Sequence, residues 1–159
     1  MVAELRGAHN KDANNRPQCE TPEPPFYNLS DECDKSDILF IFNTTSQLCE
    51  STLIDPRYHN NTFKSRFDCV STCNPGQGAP HCAEEPIRPA NGTDHCGEYD
   101  VSYYYNVTSM KCENYTFCDD YVDRSFDRNF FNADIYCEFD CGGFNISNIC
   151  PSNSSKQIK

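Results

Sequence analysis

Apolar positions fall into short clusters set between polar and turn-forming stretches. Two of them, residues 38–42 (ILFIF) and 101–105 (VSYYY), are rich in β-branched and aromatic side chains and predict strands. Turn-forming residues follow each, at 43–46 (NTTS) and 106–109 (NVTS), and then a segment bearing Cys49 or Cys112 that predicts the return strand of a hairpin. Downstream, Ser65, Arg66, Phe67 and Asp68 have capping-box spacing, and Cys69 and Cys73 then sit at i and i+4 on one face of a short helix. A matching helix opens at or beside Asn132 and carries Cys137 and Cys141. Residues 1–18 show no such pattern and read as a polar, flexible leader; the opening MVAELRGAHN lacks the apolar core of a signal peptide, as in a mature or truncated form. The longest apolar run, 38–42, is far below the roughly 20 residues needed to cross a bilayer.

The two predicted hairpin–helix segments are copies of one unit. Cys19, Cys33 and Cys49 recur as Cys82, Cys96 and Cys112, each 63 residues on, and Cys69 and Cys73 recur as Cys137 and Cys141, 68 on. Asn28 and Asn43 recur as Asn91 and Asn106 at the same offset of 63. The copies span 19–73 and 82–141, with five extra residues in the second. Between them, 74–81 (NPGQGAPH) reads as a linker, and 142–159 reads as a tail that ends in the polar SNSSKQIK and holds Cys150. Each copy is too small to bury a stabilising core alone, so its cross-links must supply much of the stability.

Composition sets the compartment. Twelve cysteines in 159 residues imply a disulfide framework and an oxidising environment. No C-x-x-C or H-x-x-x-H occurs and the four histidines are scattered, so neither a metal site nor a cofactor is expected. Eight Asn-X-Ser/Thr acceptors, at Asn28, Asn43, Asn60, Asn91, Asn106, Asn114, Asn145 and Asn153, point to a secreted glycoprotein. A formal charge of −11 argues against nucleic acid and anionic membrane as partners.

A hairpin followed by a short helix bearing Cys-x-x-x-Cys resembles the Kunitz, or pancreatic-trypsin-inhibitor, family. The resemblance rests on Cys33-x15-Cys49 and Cys96-x15-Cys112, on the aromatic strands ending in Asn43 and Asn106, and on residues 60–73 (NNTFKSRFDCVSTC), with Phe63 and Phe131 each six residues before the fifth cysteine. It implies a small disulfide-rich α+β fold of two tandem Kunitz-like modules, each a twisted β-hairpin with a short C-terminal helix. The family pairing implies Cys19–Cys73 and Cys49–Cys69 in the first copy, and Cys82–Cys141, Cys96–Cys118 and Cys112–Cys137 in the second. Closing a loop the length of 19–73 contributes about 4 kcal/mol in the chain-entropy model. Asp55 and Pro56 stand where the first copy's fourth cysteine belongs, which leaves Cys33 and Cys150; an expected Cys33–Cys150 bond clamps the tail to the first copy, and free thiols or a cross-linked dimer are the alternatives. Tandem, acidic, glycosylated modules with irregular spacing look most like salivary Kunitz proteins of blood-feeding ticks.

In this family the residue after the second cysteine enters a protease's specificity pocket. The reactive-loop positions here are Asp34 with Lys35, and Gly97 with Glu98. Asp34 would meet the Asp of a trypsin-like pocket as a like charge, and Gly97 has no side chain to bury; Lys35 is the one counter-signal, and through it the first copy could act as a standard reactive-loop inhibitor. Ion-channel block, also known in the family, relies on exposed cations that the modules largely lack. The second copy carries thirteen acids against four bases, and residues 113–127 interleave acids with aromatics. Asp119, Asp120 and Asp123 would steer association with a basic protein, and Tyr115, Phe117 and Tyr121 would supply contact area, although an acidic face also serves simply for solubility. The partner classes are a clotting-protease exosite, a chemokine or a complement component. No motif of a nucleophilic or phosphate-handling enzyme occurs, so a monomeric, non-catalytic modulator of host haemostasis or immunity is expected.

Overall fold

The structure, a computed structural model, describes residues 19–22, 36–55, 60–90, 95–119 and 128–152. Strands β1 (Asp37–Asn43) and β2 (Leu48–Ile54) pair antiparallel, with Phe42 opposite Cys49. Strand β3 (Thr62–Phe63) lies on the other edge of β1, with Phe63 opposite Phe40, and helix α1 (Arg66–Cys73) follows. After a 3-10 turn at Pro80–Ala83 the order recurs, with the β4 (Tyr99–Asn106) and β5 (Lys111–Cys118) hairpin and then helix α2 (Asp134–Cys141). A single bridge between Tyr103 and Phe131 stands at the repeat positions of Phe40 and Phe63.

Local chemistry accounts for these elements. Ser65 caps α1, its Oγ accepting the Asp68 N–H at 3.1 Å. Helix α2 starts after Ala133, the neighbour of Asn132, and has no side-chain cap. In the hairpin turns Gln47 and Met110, again 63 apart, hold positive φ of 61° and 56°.

Among the described residues five disulfides cross-link the halves internally, the same pairs the resemblance implies: Cys19–Cys73, Cys49–Cys69, Cys82–Cys141, Cys96–Cys118 and Cys112–Cys137. The expected Cys33–Cys150 bond is not formed, because Cys150 is a free, exposed thiol; Cys33 lies outside the described residues. The tail is held by other means. Phe144 and Ile149 are buried, the Tyr105 hydroxyl donates to the Phe144 carbonyl, and the Ser152 N–H donates to the Gly76 carbonyl at 3.0 Å. Cys150 projects from a strap already fixed on both sides.

The stretch 74–81 is likewise structural. Gln77 closes two bonds with the Cys49 backbone, at 2.7 and 3.0 Å, and the N–H of buried Ala79 donates to the Ile149 carbonyl at 2.8 Å. One apolar cluster therefore runs through the molecule: Phe40, Phe42 and Phe63 from the first half, Ala79 from the connection, Tyr105 and Phe131 from the second half, and Phe144 and Ile149 from the tail. Helix α1 packs on α2, and Phe67 meets Phe144 edge-on at 5.2 Å. A smaller cluster of Leu39, Ile41 and Ile54 lies on the first sheet. The result is a small disulfide-rich α+β protein with two antiparallel sheets and two helices.

Candidate functional site

The candidate site is built at the open end of the β4–β5 hairpin. Tyr99 and Cys118 are the last pair in its register, and the Cys96–Cys118 disulfide ties the loop entering β4 to the end of β5. Beyond that pair the Asp119 N–H donates to the Glu98 carbonyl at 3.0 Å. Gly97, Glu98 and Asp119 are thereby neighbours, and Asp100 follows on β4. Gly97, Glu98, Tyr99 and Asp100 are exposed and Asp119 is half-buried. Two of the reactive-loop positions and the first of the acidic candidates thus form one surface, although Asp119 is 22 and 21 residues from Gly97 and Glu98 in the chain.

Arg88 also reaches this end, a contact the sequence reading did not find. Its carbonyl accepts the Cys118 N–H at 3.3 Å, and its Nη2 lies 3.8 Å from Cys118 Sγ. Residues 88–90 run beside β5, with the Ala90 N–H donating to the Thr116 carbonyl at 2.9 Å and Pro89 bridging to Phe117. Nothing in the local sequence signals that pairing. The site therefore joins Glu98 to Asp119, with Asp100 next on β4, Arg88 held at the adjoining Cys118 and exposed His95 nearby in the chain.

Two of the expected contact aromatics are elsewhere. Phe117 is 2% exposed and meets Phe130 edge-on at 5.0 Å, so it is a core residue and not a contact residue. Strand alternation puts Tyr115 on the same inward side as Phe117. The Tyr115 hydroxyl donates to the Ile87 carbonyl at 3.1 Å, and burial pushes its pKa up to about 12. Asp34, Lys35, Asp120, Tyr121, Asp123, Asn28, Asn91 and Asn153 lie outside the described residues.

A second cluster of charge joins the two halves. Arg66 on α1 donates from Nε to Asp140 Oδ1 on α2 at 2.6 Å, and His81 Nε2 lies 2.8 Å from Asp140 Oδ2. Arg66 also donates to the Cys49 carbonyl at 3.2 Å, and its guanidinium lies over the Phe40 ring. Burial opposes ionisation of Asp140, yet the His81 hydrogen bond and the Arg66 charge together hold its carboxyl below the ordinary range. His81, Cys82, Asp140 and Cys141 lie close enough to suggest metal ligands, but both sulfurs are committed to the Cys82–Cys141 disulfide. Two donors remain, fewer than a zinc site needs.

No family model matches the chain. Over 107 residues it is 26% identical to papilin of Drosophila melanogaster, a stretch that covers 62% of this chain and 4% of papilin. Among solved structures, a chain in the complex between SmCI and human carboxypeptidase A4 is similar at 20% identity, over 65% of this chain and 58% of that one, with a TM-score of 0.29. Among the described residues no helix is long and apolar enough to cross a membrane. What the coordinates establish by themselves is a cross-linked α+β scaffold that presents an acidic hairpin end.

Proposed function

We propose that the chain is a secreted, non-catalytic, monomeric protein of the Kunitz type, two repeated modules that bind a basic protein through the acidic end of the second hairpin. The observation that carries this reading is the grouping of Glu98, Asp100 and Asp119 around Gly97 at the Cys96–Cys118 bridge. A loop that plugs a trypsin-like pocket needs a basic side chain at the position Gly97 occupies, and its acidic neighbours would repel that pocket's own carboxylate. The same carboxylates attract a basic surface and raise the encounter rate, in keeping with a net charge of −11. The bridge holds the loop in one conformation, which lowers the ordering cost of docking. Cysteine density and the acceptor sequons support the extracellular setting. The partner classes are a basic exosite on a clotting protease, a chemokine or a complement component, and the biological role is that of a salivary modulator of host haemostasis or immunity.

The test captures partners from plasma on the immobilised glycosylated chain and follows binding at several salt concentrations. A triple variant, Glu98→Gln with Asp100→Asn and Asp119→Asn, is expected to lower the on-rate about tenfold and to flatten its salt dependence. An unchanged on-rate and salt slope would retire the acidic surface as the binding site.

A further inference from the structure

The sequons among the described residues are not equivalent, and the difference lies at the side-chain nitrogen to which a glycan is joined. At Asn43, Oδ1 accepts the N–H groups of Thr45 and Ser46 at 2.9 and 3.2 Å, and Nδ2 donates to Glu50 at 3.1 Å. At Asn106, Oδ1 accepts from Thr108 and Ser109 at 3.0 and 3.3 Å, and Nδ2 donates to Glu113 at 3.1 Å. In each turn the serine hydroxyl donates to the same glutamate, Ser46 to Glu50 at 2.6 Å and Ser109 to Glu113 at 2.7 Å. Backbone N–H groups can only donate, so the oxygen of each asparagine must face them and the nitrogen must face the carboxylate. Bonds from Ser109, Tyr104 and Asn106 hold the Glu113 carboxyl below its ordinary range, so it is an ionised acceptor. The repeat preserves this four-group closure at both turns.

Asn60 and Asn114 differ. Both are exposed, and neither side-chain amide has a bond among the described residues. Asn114 stands opposite Tyr103 on the hairpin, and the next pair on that face is Val101 with Thr116. Val101 on this face is 54% exposed.

We infer that Asn60 and Asn114 carry N-linked glycans, that the Asn114 glycan covers the strip of Val101 and Tyr103, and that Asn43 and Asn106 remain unmodified as turn-closing residues. In the transfer, Nδ2 bonds to the anomeric carbon of a lipid-pyrophosphate-linked oligosaccharide, gives up one N–H proton, and the lipid pyrophosphate leaves. At Asn43 and Asn106 an N–H is held by a carboxylate seven residues on, a contact that a hairpin closes within microseconds. A sugar there would replace a hydrogen and crowd the glutamate. A sugar at Asn114 lies beside the Tyr103 ring across the hairpin, and a ring face suits the apolar side of a hexose. The inference rests on the secretory setting proposed above.

The test is to secrete the chain from eukaryotic cells behind an added signal peptide, release glycans enzymatically in heavy-oxygen water, and map the converted residues by mass spectrometry. Label is expected at Asn60 and Asn114 and not at Asn43 or Asn106. Asn114→Gln is expected to increase binding of an apolar dye to the folded protein, and unchanged dye binding would overturn the covering of the strip. Label at Asn43 or Asn106 in secreted chain with all five described disulfides intact would overturn the inference while leaving the secretory reading in place. A chain with no label at any sequon would overturn both.

Discussion

Asn129 has no exposed surface, yet every polar atom of its side chain is used. Its Oδ1 accepts the Tyr105 N–H at 2.7 Å, and its Nδ2 donates to the carbonyls of Glu84 at 2.8 Å, Tyr105 at 2.9 Å and Cys82 at 3.3 Å. Removing the amide strands several buried backbone groups, so Asn129→Ala is expected to cost about 3 kcal/mol, read as a fall in the denaturation midpoint. Asp140 acts at the same scale through charge. Its folded-state pKa is depressed, so its contribution is present above the unfolded carboxylate value near 4 and is lost as pH falls through the lower folded value. Thermal stability is therefore expected to drop on acidification below about pH 4, with a shallower drop in Asp140→Asn. Arg66→Met leaves Asp140 buried with His81 but without the Arg66 charge and is expected to cost about 3 kcal/mol. Neither Asn129 nor this ion cluster was legible beforehand, because each is defined by groups distant in the chain. Phe117 was misread for a related reason: an aromatic among acids reads as a surface anchor until the packing of Phe130 is known.

At the scale of elements, local signals were faithful and long-range ones were silent. The hairpins, their turns and the capped start of α1 followed from β-branched runs, Asn-rich turns and the Ser65 cap. Strand β3 is two residues long and exists only by pairing with β1, so no periodicity could announce it. The connection reads as a linker from its Pro and Gly residues and the tail as polar from its Asn, Ser and Lys residues; what anchors them is Ala79, Phe144 and Ile149, each at most 2% exposed. Gly143 makes that tail possible. It adopts φ +95°, and a Cβ there would lie 2.8 Å from the Phe67 ring. Gly143→Ala therefore strains the backbone and wedges α1 from the tail. It is expected to cost more than about 2 kcal/mol, with a loss of amide-exchange protection across 144–152 that a strain confined to one residue would not produce.

For the whole molecule, the repeat in the sequence describes ancestry better than mechanics. All five described bridges stay within a half, but the apolar cluster and the Arg66–Asp140 pair cross between halves, and the Ala79–Ile149 bond ties the connection to the tail. Calorimetry is expected to show one cooperative transition, and two resolved transitions would show the halves to be independent. Charge too belongs to this scale: in the proposed function the acidic hairpin end steers a basic partner, and the Cys96–Cys118 bridge braces the loop. The central claim is that binding proceeds through this surface and not by occupying a protease's active centre. The most direct measurement titrates the intact protein against a panel of basic serine proteases, with a small chromogenic substrate and a macromolecular substrate in parallel. Small-substrate cleavage should continue while cleavage of the macromolecular substrate slows. Tight stoichiometric block of the small substrate, abolished by Lys35→Ala, would contradict the account.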